Sequence, residues 1–345
     1  LVKSKQGGAA GGAGGAPAAP PGQPVEAHFS YLKELVEGVA GAPPALTGAL
    51  ASLGNVYGQL QGVLAATQSG QPVAGGTGAR ELEAVANRLP QPLKDWLGGV
   101  AETTASLGAG TTRNQLDAFW RSEVLPLCQQ ALGGRFPFTR SSSIDVNIDD
   151  FTRLFAPGGM IDNFFDTHLR HRVDMTQRPW RWRDVDGQSL GISESVLAQF
   201  ELAARIRDGL FATGATPKAN FEMKPSSLDQ RVAQVRLDLD GQTLEYRHGP
   251  QIPTRLTWPG PGGQNLVRLT FAPIGGGPVT VTKEGAWSWF RLLNDARFRG
   301  TNLADRFTVT FSADGYEAGF ELAAGSIANP FDLTLFERFR CPTGF

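Results

Sequence analysis

The sequence predicts an α+β protein in which an N-terminal all-α helical domain is followed by an antiparallel β-sandwich domain with an inserted helix. Three observations support this. Apolar residues recur every three to four positions up to about residue 211, and they alternate with polar residues after Thr216. Two Asp-Gly pairs separate alternating runs in the second part. We expect a flexible linker at residues 1–24, helical domains at 25–214 and the sandwich at 215–345.

The composition excludes several classes of protein. The 345 residues carry 32 Lys and Arg against 33 Asp and Glu, whereas a nucleic-acid-binding domain needs a basic surface. No run of about 18 apolar residues predicts a membrane span, and two cysteines are too few for a disulfide scaffold or a cysteine-rich zinc site. The chain starts at Leu1 without a signal segment, so we expect it to be a piece of a longer protein.

Residues 1–24 have the composition of a linker. Gly, Ala and Pro make up 17 of these 24 residues, and none is aromatic. Such a segment buries too little apolar surface to offset the entropy lost on ordering. We therefore expect a flexible linker with something preceding it.

An uncharged helix is predicted next. Its apolar stripe has spacings of four and three residues and consists of Leu46, Leu50, Leu53, Tyr57, Leu60 and Leu64. No Asp, Glu, Lys or Arg occurs from Gly38 to Ala79. Two interpretations stay open: a surface covered by Gln, Thr, Ser, Asn and Gly, or a face packed against another domain or subunit.

Further helices are expected up to Gly214. A helical stretch at residues 81–97 is broken near Pro90 and Pro92. Predicted caps are Thr111 or Thr112 for a helix running to residue 132, Asp149 or Asp150 for the next, and Ser193 for the helix that ends before Gly214.

Two hairpins define the β region. A two-residue turn at Asp240 and Gly241 would pair Leu237 with Leu244 and Val235 with Tyr246. A turn at Asp314 and Gly315 would pair Phe311 with Ala318, Val309 with Phe320 and Phe307 with Leu322. Both registers put the apolar side chains on one face. Alternating residues at 267–271 and 279–281 predict strands between the hairpins, and residues 285–296 predict the inserted helix.

One motif resembles a catalytic site. Residues 187–191 match the G-x-S-x-G pattern around Ser189, which serine hydrolases place between a buried strand and a helix. The preceding Asp184-Val185-Asp186 is too polar for a central strand, and His248 is the only downstream histidine. We interpret the motif as a turn.

Two other motifs resemble metal sites. Asp145, Asn147 and Asp149 open like a calcium loop, but Asp150 stands where that loop needs Gly and Ala156 where it needs Glu. His168 and His171 lie three apart without an evident third ligand, and neighbouring arginines would repel a cation. We expect a polar loop with a helix cap and a solvated helix face, hence no metal and no cofactor.

Several segments resemble the C-terminal periplasmic region of the TssM (IcmF-type) family of type VI secretion proteins. They are residues 133–138 (Gly-Gly-Arg-Phe-Pro-Phe), 150–165 (around Phe-Ala-Pro-Gly-Gly), 178–182 (Arg-Pro-Trp-Arg-Trp), 258–260 (Trp-Pro-Gly), 285–293 (Gly-Ala-Trp-Ser-Trp-Phe-Arg-Leu-Leu), 329–331 (Asn-Pro-Phe) and 339–342 (Phe-Arg-Cys-Pro). The resemblance is specific from about Cys128 to Pro342 and weaker before it. Phe136 departs from the family, which more often has tyrosine there.

The resemblance implies a structural subunit rather than an enzyme. It implies a periplasmic region of an inner-membrane-anchored protein, with the anchor outside this sequence. It also implies binding to the outer-membrane lipoprotein TssJ and assembly with the inner-membrane subunit TssL and further copies of the chain.

We predict the lipoprotein site at loops of the sandwich. The residues are Trp258, Pro259, Gly260, Pro261, Gly262 and Gly263, with Pro273, Ile274, Gly275, Gly276, Gly277 and Pro278. A buried Trp258 at a strand end is the other interpretation of the first loop. The alternative functions are a carbohydrate-binding sandwich using an exposed Trp258 and a hydrolase using Ser189 with His248.

The two cysteines leave one further question open. Cys128 and Cys341 fall in different predicted domains, and sequence spacing cannot decide whether their geometry allows a bond. An oxidising periplasm would permit a disulfide. We expect two unbonded or buried thiols, with the disulfide as the alternative.

Overall fold

The computed structural model describes residues 23–39, 41, 43–69, 76–185, 189–301, 306–325 and 329–345, and for 23–28 only the backbone. These belong to two compact units, one running to Thr112 and including Val185–Leu190, the other formed by Arg113–Asp184 and Gly191–Phe345. Almost all of the predicted linker at 1–24 lies outside the described residues. Its last two residues begin the first helix.

The first unit is helical where the structure describes it. It contains α1 (Gln23–Glu37), α2 (Ala45–Ser69), α3 (Gly78–Ala86) and most of α4 (Leu93–Phe119). Its core consists of two small clusters, one around Leu35, Ala49 and Leu89 and one around Val56, Leu82 and Ala101. A Cβ on Gly78 would lie 3.0 Å from the backbone of α2, so a larger residue here would require α2 and α3 to move apart by a few tenths of an ångström.

The predicted stripe of α2 lies beside its buried face. Leu46, Leu53 and Leu60 pack against the two clusters, but the other three stripe residues are exposed. The buried positions are instead the smaller Ala49, Ser52, Val56 and Ala66. Because small side chains allow closer helix contact, they form the buried face here, and the larger side chains lie at its margin.

The break near Pro90 and Pro92 is confirmed, since α3 ends at Ala86 and α4 begins at Leu93. The predicted caps Thr111 and Thr112 are wrong, because both residues lie inside α4. Their hydroxyls donate to the carbonyls of Leu107 and Gly108 at 2.9 and 3.0 Å. A threonine satisfied by the carbonyl four residues earlier need not begin a helix.

The second unit begins with helices. The end of α4 continues into a π-helical turn (Trp120–Val124) and α5 (Leu125–Leu132), followed by α6 (Ile148–Phe155) and α7 (Met160–Phe164). A second π-helical turn (Phe165–Leu169) leads to a small antiparallel pair, β1 (Val173–Asp174) and β2 (Arg181–Trp182), and then to α8 (Glu194–Leu210). We call residues 113–184 and 191–214 the helical segment.

The structure shows the N-cap residues of two helices whose caps were predicted from the sequence, α6 and α8. The cap of α6 is Asn147 rather than Asp149 or Asp150, and its side chain accepts from the backbone N–H of Asp149 at 2.7 Å. The aspartates lie in the first turn, where negative charge is favourable. Ser193 is the N-cap of α8, as predicted.

Two antiparallel sheets follow. The first has the order β6-β3-β11-β10-β9, and the second has the order β5-β4-β7-β8. Their strands are β3 (Ala219–Leu228), β4 (Val232–Leu239), β5 (Gln242–Tyr246), β6 (Thr254–Trp258), β7 (Leu266–Pro273), β8 (Val279–Glu284), β9 (Arg297–Gly300), β10 (Arg306–Ala313) and β11 (Tyr316–Ala324). Between β8 and β9 lies the inserted helix α9 (Ser288–Asn294), and α10 (Thr334–Arg338) comes near the end.

Both predicted hairpin registers are confirmed. Leu237 pairs with Leu244 across β4 and β5, and Val309 pairs with Phe320 across β10 and β11. The turn residues Asp240 and Gly241 have φ of 42° and 87°, as a two-residue primed turn requires. The predicted class, α+β with a helical part before a β-sandwich that carries an inserted helix, is confirmed. The predicted division between residues 214 and 215 stays a prediction.

Candidate functional site

Helix α9 joins the sandwich to the helical segment. The buried indole of Trp287 donates to the carbonyl of Val146 at 2.8 Å. Arg291 donates to Asp145 through Nε at 2.9 Å and Nη2 at 2.5 Å, and its guanidinium lies 4.5 Å from the ring centre of Phe136. Both donors bind the same oxygen, Asp145 Oδ1, and two charge-assisted hydrogen bonds to one oxygen orient the guanidinium. The loop read as calcium-like therefore supplies contacts to α9.

The C-terminal residues return to the helical segment. The indole of Trp120 donates to the carbonyl of Pro342 at 2.7 Å, and the backbone N–H of Phe345 donates to Asp117 at 2.9 Å. The ring of Phe345 stacks on Phe164 at 5.5 Å. Residues from the end of the chain are thus part of the helical core.

The expectation of two unbonded thiols is wrong, because Cys128 and Cys341 form a disulfide. Their Cα atoms lie 6.1 Å apart, within the usual range for a bonded pair. Sequence assigned them to different domains, but the C-terminal residues leave the sandwich and run alongside α5. The bond closes a separation of 213 residues.

The first predicted loop is packed against the hairpin turn of β4 and β5. The backbone N–H of Gly262 donates to the Asp240 carbonyl at 2.8 Å, and the Asp240 carboxylate accepts from the N–H of Gln264 at 2.7 Å. A Cβ on Gly260 would lie 2.4 Å from the Asp240 carbonyl, so only glycine fits. We call this end of the sandwich, with residues 240–241 and 259–265, the near end, because Trp258 beside it contacts α9.

Trp258 itself is buried. Its indole donates to the carbonyl of Ala286 at 3.0 Å, and its ring centre lies 4.8 Å from that of Phe290. Trp258 therefore lies at the end of a strand with its side chain pointing inward, as the second interpretation of this loop expected. A carbohydrate platform needs an accessible ring face, so the burial of Trp258 contradicts that form of the alternative.

The second predicted loop lies at the other end of the sandwich. Residues 259–263 precede β7 and residues 274–278 follow it, so the eight residues of β7 separate the two loops by about 26 Å. The backbone N–H of Ile274 donates to the Arg231 carbonyl at 2.8 Å, and the Ile274 side chain is 73% exposed. We call this end, with residues 229–231, 247–253, 274–278 and 314–315, the far end. The twelve predicted residues do not form one surface.

The hydrolase motif lacks its required context. The strand preceding Ser189 is the two-residue β2 in an antiparallel pair, whereas a nucleophile elbow follows a central strand of a parallel sheet. Residues 187 and 188 of the motif lie outside the described part. The ring of His248 interacts with the carbonyl of Val232 at 2.7 Å, at the far end.

Of the two histidines considered as ligands, His168 lies in the second π-helical turn and His171 in the 3₁₀ turn that follows it (Arg170–Arg172). Burial lowers the pKa of His168, and the charge of His171 adds to this effect. Burial also lowers the pKa of His171, with further lowering by Arg172 and Arg183. Within the described residues, no group of three or more His, Cys, Asp or Glu side chains is placed to hold a metal ion.

A cavity in the helical segment was not predicted. It has a volume of about 270 Å³ and lies between α6, α7, the second π-helical turn and α8, with Trp180 in its wall. Arg207 at its edge is bonded to Asp162 and, at 3.0 Å, to Asp208. Burial lowers the pKa of Arg207, but these two carboxylates outweigh burial and raise it above its usual value. The sequence feature nearest to this cavity is Arg178-Pro179-Trp180, which belongs to the segment at 178–182 that resembles the family.

Two family models match this chain in succession. Residues 111–216 match the type VI secretion protein IcmF helical domain, and residues 221–326 match the type VI secretion protein IcmF C2-like domain. The first match covers the helical segment and the second covers most of the sandwich.

Comparisons with whole proteins and solved structures agree with the two family-model matches. Over 92% of its length the chain is 37% identical to the type VI secretion system component TssM1 of Pseudomonas aeruginosa, and it spans 29% of that protein. The structure of the "T6SS protein TssM C-terminal domain (869-1107) from EAEC" is 23% identical, with a TM-score of 0.61 over 67% of this chain and 98% of that one. A chain of a "Type VI membrane complex" is 20% identical, with a TM-score of 0.74 over 92% of this chain and 70% of that one.

Among the described residues, every helix is too short or too polar to cross a bilayer.

Proposed function

Because this chain belongs to the IcmF (TssM) family through its helical and C2-like domains, we propose that it is the periplasmic region of a structural subunit of the type VI secretion membrane complex. In this proposal the subunit is anchored in the inner membrane by a part outside this sequence. The region bridges the envelope, binds the outer-membrane lipoprotein TssJ and assembles with TssL and further copies of itself.

One observation carries the proposal. The helical and C2-like family models match this chain in succession, and 37% identity to TssM1 extends over 92% of the chain rather than over one domain. Several structural features support a bridging role. A subunit that transmits position between two membranes needs stiff connections between its parts, and α9, the disulfide and the C-terminal residues all connect the sandwich with the helical segment.

The role is non-enzymatic in this proposal. Binding a small partner requires a shaped and exposed surface rather than converging titratable groups. The hydrolase alternative loses support because the surroundings of Ser189 are not those of a nucleophile elbow. The carbohydrate-binding alternative loses its aromatic platform with the burial of Trp258.

We place the lipoprotein contact at the far end of the sandwich. Of the two predicted loops, residues 274–278 carry a large exposed apolar side chain, Ile274. The loop at 259–263 is instead packed against Asp240, and its tryptophan is buried. A few side chains usually contribute most of the binding energy at a protein interface, and we choose Ile274 as the residue to test because it is the large apolar side chain that this loop exposes.

The test measures binding of the whole chain to the soluble domain of the TssJ lipoprotein from the same secretion system, by biolayer interferometry. We expect Ile274→Asp to weaken binding at least tenfold. Pro261→Asp at the near end should change the affinity by less than about threefold, because that loop is not expected to touch the partner.

Ile144→Asp is the matched control, because Ile144 is 58% exposed and lies in the helical segment, outside the sandwich. We expect it to bind like the wild type. Absence of any binding by the wild-type chain would refute lipoprotein binding. Weakening by Pro261→Asp with normal binding of Ile274→Asp would refute the far-end assignment alone.

A further inference from the structure

One tryptophan of the helical segment differs from its neighbours in hydrogen bonding. The indole N–H groups of Trp120, Trp258 and Trp287 each donate to a backbone carbonyl at 2.7 to 3.0 Å. The indole nitrogen of Trp180 is also buried, but it has no hydrogen-bond partner within the described residues. A buried donor without an acceptor costs about 1–3 kcal/mol.

Trp180 is held firmly in this position. Its residue is 7% exposed, and its backbone N–H donates to the Glu201 carboxylate at 2.9 Å. Phe165 from the second π-helical turn stacks on the indole at 5.1 Å. Turns of this kind occur frequently at functional sites. The unsatisfied donor therefore belongs to an ordered wall rather than to a loose surface side chain.

Trp180 lies in the wall of the cavity described above. We call this cavity the Trp180 cavity and define it by six residues of its apolar lining: Phe155, Ile161, Phe165, Trp180, Ala203 and Ala204. Its volume of about 270 Å³ is below the usual range of about 300–1,000 Å³ for small-molecule sites. This space suits one large side chain with its peptide group better than a nucleotide or other cofactor.

The charges at the edge of the cavity do not call for an ionic ligand. Three arginines and three aspartates line it, and they are paired with each other or with a neighbouring carboxylate. Arg170 contacts Asp166 at 2.9 Å, Arg207 contacts Asp162 and Asp208, and Arg178 lies 3.7 Å from Glu201. A neutral ligand with an apolar part and a hydrogen-bond acceptor therefore fits the chemistry.

Arg178 is the edge residue in contact with the indole. Its guanidinium lies 5.6 Å from the centre of the Trp180 ring, and the side chain is largely exposed. Its ion pair with Glu201 is long for a charge-assisted hydrogen bond, and its hydrogen bond to the Met175 carbonyl at 3.1 Å is solvent-exposed, so water can replace both when this side chain moves. Binding of an acceptor to the indole N–H would require such a movement, because the indole nitrogen is buried in the structure.

We propose that the Trp180 cavity binds one large aliphatic side chain from a loop of a partner protein, whose peptide carbonyl accepts a hydrogen bond from the Trp180 indole. The aliphatic part fills the apolar lining, and the carbonyl satisfies the buried donor. This inference deepens the proposed function and rests on it in one respect, namely that the natural occupant belongs to another protein of the complex.

The test uses N-acetyl-L-leucinamide, which carries one aliphatic side chain between two peptide-like carbonyls. It is titrated into the whole ¹⁵N-labelled chain while the indole N–H resonances are recorded. Trp180→Phe assigns the Trp180 resonance. We expect that resonance to shift saturably with a millimolar midpoint, whereas the resonances of Trp120 and Trp287 stay in place.

Two controls keep the test specific. N-acetylglycinamide has the carbonyls without the side chain and should cause no saturable shift. Trp289 also has a buried indole nitrogen without a partner among the described residues, yet it does not line this cavity, so its resonance should not move. A Trp180 resonance that stays in place, or that moves equally with the glycine probe, overturns the proposal.

A variant tests the cavity itself. Ala204→Leu places a side chain in the cavity from α8 and should abolish the Trp180 shift, with the Trp120 and Trp287 resonances reporting that the fold is intact. A full shift in this variant overturns the proposal. The amide titration contains no lipoprotein, so its failure overturns this inference alone, and failure of lipoprotein binding leaves the titration result standing.

Discussion

A single arginine organises the far end of the sandwich. Arg231 donates to the Asp229 carboxylate through its backbone N–H at 2.9 Å and its guanidinium at 2.7 Å. The same guanidinium donates to the Gly315 carbonyl at 2.7 Å and lies 5.1 Å from the ring centre of Tyr316. The turn between β3 and β4 is thus fixed to the turn between β10 and β11, and Ile274 is bonded to the same arginine's carbonyl.

This arrangement predicts an acid-sensitive turn. The hydrogen bond from the Arg231 side chain lowers the pKa of Asp229 from 3.8 to about 2. A carboxylate with a lower pKa in the folded state stabilises that state above pH 3.8, and the contribution is lost as the pH falls towards 2. We expect the melting temperature of Asp229→Asn to fall less steeply than that of the wild type between pH 4 and pH 2.

Differential scanning fluorimetry across this range measures the effect, which should be small because the pair is solvent-exposed. Arg231→Gln removes the largest cause of the lowered pKa, the side-chain hydrogen bond, but keeps the backbone N–H that donates to Asp229, so its curve should lie between those of the wild type and Asp229→Asn. Wild-type and variant curves that run parallel below pH 4 would contradict the assignment.

Local chemistry decided which residue-level predictions succeeded. The pairing of Leu237 with Leu244 follows from a two-residue turn, and Asp-Gly is a sequence that favours the conformation of such a turn. The cap of α6 was misassigned because Asn147, Asp149 and Asp150 all suit a helix start, and only the backbone shows which of them precedes the first turn.

Helix α2 shows what a pattern of apolar residues does not determine. The spacing predicted the helix, but the buried face is centred on Ala49, Ser52 and Val56. Leu50, Tyr57 and Leu64 are exposed and seven residues apart, within a stretch that has no charge. The exposed surface of α2 therefore includes large apolar side chains besides its Gln, Thr, Ser, Asn and Gly. The interpretation that this face contacts another subunit remains a prediction.

The substitution Tyr57→Glu on this face distinguishes an effect on folding from an effect on association between copies. Tyr57 is 65% exposed, and its hydroxyl accepts only from the neighbouring Gln61 at 2.8 Å among the contacts described. We expect Tyr57→Glu to change the melting temperature by less than about 2 °C, because no core contact is lost. If α2 contacts another copy, the variant should shift the sedimentation distribution towards the monomer.

Thr103→Glu serves as the matched control, since Thr103 is an exposed position of α4 in the same unit. It should sediment like the wild type. Equal association of wild type and Tyr57→Glu over the same concentration range would contradict a subunit contact at this face.

At the scale of the whole second unit, the sequence predicted the parts better than their connections. Helices, hairpins and the inserted helix depend on neighbouring residues, and their patterns are readable. The contacts of Trp287 with Val146, of Trp120 with Pro342 and of Cys128 with Cys341 join residues more than 140 positions apart. No periodicity encodes such pairs. The Trp180 cavity also depends on packing between separate elements, although its lining residues all lie between Leu154 and Asp208.

The disulfide gives the most direct test of these connections. Closing a separation of 213 residues removes chain entropy from the unfolded state, which for a loop of this length corresponds to about 5 kcal/mol. We expect the double variant Cys128→Ser with Cys341→Ser to lose about 2–5 kcal/mol of unfolding free energy, measured by urea titration. Trp120 and Phe345 hold the C-terminal residues through separate non-covalent contacts, so we expect the near-ultraviolet circular dichroism of the folded variant to match that of the wild type.

The wild type in excess dithiothreitol should unfold at the urea concentration of the double variant, and addition of dithiothreitol should leave the variant unchanged. If the disulfide closes the loop, reducing it must lower the urea concentration at which the wild type unfolds. A wild type that unfolds at the same urea concentration with and without dithiothreitol would therefore show that packing alone holds the C-terminal residues.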